Sequence, residues 1–147
     1  MDPYASGKIR VSPYYRKCDV EGVCVAVLDL RMNNRGLELI KPQSRVLNTN
    51  EIHEFIATEE TSKCGEKVDA IAYIAFVQIT KGGVILRGDS LLLNEDTLGV
   101  ISGYDETHMP NHLNIVFRVS ELKTGKEIGI ALGDTVIIRQ AIDEIKH

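Results

Sequence analysis

Ten consecutive residues, Gly103-Tyr104-Asp105-Glu106-Thr107-His108-Met109-Pro110-Asn111-His112, hold two of the chain's four histidines, two carboxylates and a Pro-Asn pair. Imidazole and carboxylate groups both ligate divalent metals and both transfer protons near neutral pH. His108 and His112 are four apart, the spacing that places two imidazoles on one face of a helix in metalloproteases. Pro110 stands between them, lacks an amide hydrogen and pushes Met109 away from helical angles. The expectation is therefore a type II β-turn over Met109–His112, with proline second and asparagine third. Such a turn draws the ends of the segment together and lets both rings face one site.

Asp105, His108 and His112 form the expected ligand set for zinc, iron or another first-row divalent ion. Tyr104, Glu106 and Asn111 are expected to line a small-molecule site beside it. An acid–base histidine oriented by a carboxylate is a second reading, and would make the protein a small hydrolase or lyase. A third treats the loop as purely structural, with Asp105 capping a turn through Thr107 and His108, in an adaptor domain. No residue is assigned a catalytic role.

Other candidates are weaker. His53-Glu54 reads first as a satisfied structural histidine with a charged neighbour. Cys64 beside Lys63 reads as a packed thiol, and Cys18 and Cys24, six apart, fit no zinc spacing. Asp89 and Asp134 each follow a glycine and are turn residues first. No glycine-rich turn leads into a helix that would bind an anion.

The elements that must position the loop are strands. Val23–Arg31 is the first strong run, Asn33–Gly36 turns it, and Leu37–Ile40 returns until Pro42. Val68–Thr80 is apolar on both alternating faces and reads as a central, doubly covered strand. Short runs follow at Val84–Arg87, Ser90–Leu93 and Thr97–Ser102, and Leu113–Ser120 alternates most cleanly. Lys123–Lys126 turns into the last strand, Thr135–Arg139. Ile85–Leu93 echoes Ile130–Ile138, each pairing a Gly-Asp turn with a hydroxyl residue and an apolar run. Asn48–Gly65 is balanced between helix and strand. Asn48 with Glu51 resembles a capping box, Ile52, Phe55 and Ile56 recur at helical spacing, and Gly65 suits a helix end, so the balance falls to a helix.

Many short strands without βαβ alternation make an all-β class. A small β-barrel with at most one or two short helices is expected, a two-sheet sandwich being the alternative. At 147 residues the chain suits one domain, with 1–17 as an N-terminal arm and 142–147 as a tail. A net charge of −4 argues against nucleic acid and anionic membrane as partners. Lys8, Arg10, Arg16 and Lys17, interleaved with Tyr14 and Tyr15, are a local exception that reads first as a solvated arm. Three cysteines without a CxxC, and no signal or spanning segment, point to a reducing, cytoplasmic setting. The two apolar faces of Val68–Thr80 need cover, which a second subunit in a homodimer would provide.

The run GYDETHMPNHLNI from Gly103 to Ile115, with the upstream GGVILRGD, resembles a small prokaryotic family of uncharacterised proteins. The resemblance covers about Val20 to Ala141. It implies one small β-rich domain with a special role for this loop, and it implies no activity.

Overall fold

Short β-branched and aliphatic runs between Gly, Asn and Asp turns become eleven strands and one helical turn in the computed structural model, which describes residues 17–141. In chain order the strands are β1 (Val20–Met32), β2 (Leu37–Glu38), β3 (Ser44–Leu47), β4 (Ile52–Thr58), β5 (Lys67–Val68) and β6 (Ile71–Lys81). There follow β7 (Gly83–Leu86), β8 (Ser90–Leu93), β9 (Asp96–Asp105), β10 (Asn114–Arg118) and, after helix α1 (Gly125–Ile128), β11 (Thr135–Arg139). Seven strands close a barrel in the order β1-β11-β8-β9-β10-β4-β6, with β6 pairing back onto β1. Closure leaves these strands without a free edge. The fold is the expected all-β barrel, and the sandwich is set aside.

Every pairing around the barrel is antiparallel except that of β4 with β10. Two short ribbons, β2–β5 and β3–β7, lie apart from the barrel wall. Alternation sorts the side chains into two cores. Phe55, Ala57, Ala75, Val77, Ile115 and Phe117 belong to the larger cluster that fills the barrel, where the Phe55 and Phe117 rings lie 5.0 Å apart. Ile56, Ile71 and Val116 face the other way and meet Leu37, Leu39 and Val68 from the β2–β5 arm. This second cluster explains why β6 is apolar on both faces. At the start of that strand, Ile71 and Tyr73 pack against the chain's own arm.

Asn48–Gly65 is not helical. Ile52–Thr58 is a strand paired on both sides, to β6 and to β10. Two flanking strands and a position between the two cores reward an extended chain more than three residues at helical spacing reward a helix. The apparent capping box exists, but it closes a turn. Glu51 Oε1 accepts from the Asn48 amide at 2.9 Å, the Glu51 amide donates to the Asn48 carbonyl, and Asn50 takes a positive φ of 78°. Strand β3, just after Pro42, is a further element, one that the sequence pattern does not announce.

The Gly-Asp echo is structural and repeats in detail. Asp89 Oδ2 accepts from the Leu86 amide at 2.8 Å, and Asp134 Oδ2 accepts from the Ala131 amide at 2.9 Å. Gly88 and Gly133 take φ of 93° and 86°, as the turn requires. The strands that follow, β8 and β11, pair with each other. The expected turn at Lys123–Lys126 is the start of α1, capped by Thr124 and Glu127 in a reciprocal box. A side chain at Gly125 would collide with the Ile74 carbonyl, so α1 packs directly on β6.

Of the basic arm, Lys17 pairs with the buried Asp89 at 2.7 Å. Lys8, Arg10, Tyr14, Tyr15 and Arg16 lie outside the described residues, as does the 142–147 tail. Among the described residues no helix is long and apolar enough to cross a membrane.

Candidate metal centre

Four strands set a row of side chains across the outer barrel wall. Asp105 on β9 is the Cα partner of Asn114 on β10, Asn114 of Glu54 on β4, and Glu54 of Phe76 on β6. Their neighbours Tyr104, Ile115, Phe55 and Ala75 point into the barrel, so the row faces out. The segment from Glu106 to Leu113 folds back over it. Within that segment the Met109–Pro110 bond is cis, and the Asn111 and His112 amides both donate to the His108 carbonyl. The turn thus spans His108–Asn111 rather than Met109–His112, with proline third, the position a cis proline takes.

This turn brings the two histidines together, as expected, with ring centroids 4.9 Å apart. The His112 ring meets Phe76 edge-on at 5.1 Å. Glu54 rises from the wall beneath them. One ligand atom from each of Glu54, His108 and His112 lies within 4.8 Å of the other two. Glu54 is buried, His112 half-buried and His108 exposed, so the group opens to solvent on the loop side.

The electrostatics show a cluster short of a partner. Burial pushes the Glu54 carboxyl above its ordinary value, partly offset by His108 and Arg35 and reinforced by Asp105. Burial pulls the His112 imidazole below its ordinary value, helped by His108 and His53 and opposed by Asn114. Each group resists the charge that an ion pair would need, and His112 Nε2 stops 3.6 Å from Glu54 Oε1, beyond hydrogen-bond range. His112 Nε2 and Asn114 Oδ1 are both buried and make no hydrogen bond among the described residues. The Asn114 side chain favours a charged imidazole and so opposes part of the effect of burial. Buried polar atoms without partners cost free energy, on the order of 1–3 kcal/mol each.

The other residues that the sequence singles out divide by role once placed in the fold. Asp105 stands in the row but is committed elsewhere: it accepts from the Glu38 amide (3.2 Å), the Thr107 amide (3.0 Å) and Asn114 Nδ2 (3.1 Å). Tyr104 is buried in the barrel, where its hydroxyl donates to the carbonyls of Gln43 and Ile85. Glu106 is ion-paired with Arg45. Asn111 Nδ2 lies 3.0 Å from His112 Nδ1, next to the cluster. Glu54, which the sequence offers only as a weak candidate beside His53, is the carboxylate that the fold brings to the two histidines. The available signal was a carboxylate inside a run whose neighbours, Phe55, Ile56 and Ala57, are all buried. His53, on the opposite face, is satisfied: its Nδ1 accepts from the Leu113 amide at 3.0 Å and its Nε2 meets Glu51 at 2.9 Å.

A family model described as "Family of unknown function (DUF6917)" matches residues 14–139, and the chain belongs to that family. No curated protein and no solved structure matches the chain.

Proposed function

We propose that this barrel is a divalent-metal-binding module whose ligands are Glu54, His108 and His112. The observation that carries the reading is the convergence of one buried carboxylate and two imidazoles within 4.8 Å, with the buried Nε2 of His112 turned toward Glu54 at 3.6 Å. Ligand atoms around a tetrahedral zinc stand about 3.3–3.4 Å apart, given metal–ligand distances of about 2.0–2.1 Å. The cluster is therefore slightly open, and the exposed His108 on its turn is the side chain free to close it. Two imidazoles and a carboxylate suit zinc and other first-row divalent ions.

A metal on Nε2 would leave the His112 proton on Nδ1. Asn111 now presents its amide nitrogen there, and a half-turn of that amide would present the oxygen as acceptor. Three protein ligands leave a position for water or a small molecule, as in zinc sites that do chemistry rather than brace a fold. Asn114 Oδ1, buried and without a hydrogen-bond donor among the described residues, supplies an acceptor for such a water.

Zinc titration of chelator-treated protein by calorimetry tests the reading. One zinc per chain is expected, with His108→Ala and His112→Ala each weakening it by at least about tenfold, as loss of a ligand should. Zinc uptake by the double alanine variant equal to that of the parent would overturn it.

A further inference from the structure

Along the outer face of β10, Asn114 is followed by Val116, which meets the β2–β5 arm, and then by Arg118. Two same-face steps, about 13 Å along a strand, separate Arg118 from the metal row. Arg118 lines a cleft of about 160 Å³ together with Arg87, Thr61 and Ser102. Arg87 Nε donates to the Ser102 carbonyl at 3.1 Å, which anchors that guanidinium. Its two Nη groups make no hydrogen bond or ion pair among the described residues. The same holds for the whole Arg118 guanidinium and for the Thr61 hydroxyl. Ser102 is only 3% exposed, yet its hydroxyl also makes no hydrogen bond among those residues.

The cleft adjoins a wider groove of about 630 Å³, which shares Thr61, Val100 and Arg118 with it and adds Leu98 and Val119. No Asp or Glu lines the small cleft. Carboxylates on the surrounding segments are engaged elsewhere. Asp89, next to Gly88, pairs with Lys17 at 2.7 Å, and Glu60 accepts from the Asp69 and Ala70 amides. Glu59 borders the wide groove, where it accepts from the Leu122 amide at 2.9 Å. Glu121, beyond that groove, pairs with Lys123 at 3.0 Å. Two guanidiniums and two hydroxyls thus border one cleft with donors to spare and no anion of their own. Like charges so placed repel until an anion lies between them.

We infer that the Arg87–Arg118 cleft binds the phosphate group of a small phosphate monoester, whose organic part lies in the groove over Leu98 and Val119. A phosphate brings three terminal oxygens to two guanidinium forks and two hydroxyls. At pH 7 it also brings roughly −1.5 to −2 charges to set against the two arginines. A carboxylate brings two oxygens and one charge. The site is separate from the metal centre and does not depend on it.

Calorimetric titration of chelator-treated protein with phenyl phosphate and with inorganic phosphate tests the inference. Removing metal keeps phosphate from binding at the histidines through an ion. Phenyl phosphate should bind one per chain, at least about tenfold more tightly than inorganic phosphate, because its ring buries apolar surface in the groove. Phenol, which lacks the phosphate, should not bind. Arg118→Gln should weaken phenyl phosphate by about tenfold or more, the scale of a lost charge-assisted pair. The Arg118 guanidinium has no partner among the described residues to lose, so this variant should keep the parent's urea midpoint. Arg87→Gln should give a loss of the same order, and His108→Ala should give none. Equal affinity for the two phosphates would overturn the ester. No phosphate binding, or equal binding by a folded Arg118→Gln protein, would overturn the site.

Discussion

Asn114 is the Cα partner of Glu54 across the parallel β4–β10 pair, and its side chain separates Glu54 from Asp105 on the other flank. Its amide nitrogen is committed to Asp105 at 3.1 Å, which leaves its buried oxygen for the Glu54 and His112 side. Two carboxylates that could have competed for one role are thereby divided. Asp105 organises the backbone around it, and the Glu54 carboxylate, which accepts no hydrogen bond among the described residues, faces His112 Nε2 at 3.6 Å.

Asp105→Ala should be among the more damaging single changes outside the barrel interior. It strands the Glu38 and Thr107 amides and the Asn114 amide nitrogen in a site where Asp105 is only 2% exposed. A loss of about 3 kcal/mol is expected, at the level of a broken buried network. Urea denaturation would measure it. A loss under about 0.5 kcal/mol, the range of ordinary surface changes, would show that the three bonds hold little.

His53→Ala should cost about 1–3 kcal/mol, because the buried Leu113 amide then has no acceptor. That amide lies where the loop re-enters β10, so the same variant should also speed hydrogen exchange at Leu113. His108→Ala, by contrast, removes an exposed ring and should stay within about 0.5 kcal/mol in the metal-free protein. Equal losses at the two positions would contradict the division between a structural and a ligand histidine.

Glu51 gives a pH signature. Partial burial would raise its carboxyl, but the Asn48 amide, the His53 ring and the Asn48 side chain outweigh that and hold it below its ordinary value of 4.5. A carboxyl depressed in the folded state contributes stability that is full above about pH 4.5 and lost as pH falls through its lower folded value. Parent and Glu51→Gln should therefore differ in melting temperature at neutral pH and converge in acid. A difference that grows as pH falls from 6 to 3 would reverse the expected sign.

The parts of this molecule written in local sequence were legible. Gly88-Asp89 and Gly133-Asp134 announced their turns because the needed φ and the capping carboxylate sit in adjacent residues. His108 and His112 announced that their rings would meet because one turn joins them. What was not legible depends on partners far along the chain. Ile52–Thr58 carries a helical spacing and a genuine Asn48–Glu51 contact, and only pairing with β6 and β10 decides for a strand. Glu54 reaches the histidines through that same parallel pairing, which no spacing near the loop encodes. Asp105 and Tyr104 read as loop residues because Gly103 looks like a strand end. In the fold β9 runs on through Asp105, placing Tyr104 in the core.

Glu54 is the one anionic ligand of the proposed centre, and Glu54→Gln tests that role most directly. The substitution keeps size and hydrogen-bonding capacity but removes the charge. Zinc affinity should fall by at least about tenfold relative to the parent protein. The metal-free variant should be as stable as the parent or more so, since burial already disfavours the Glu54 charge. Undiminished zinc binding by a folded Glu54→Gln protein would contradict a metal centre built on this carboxylate.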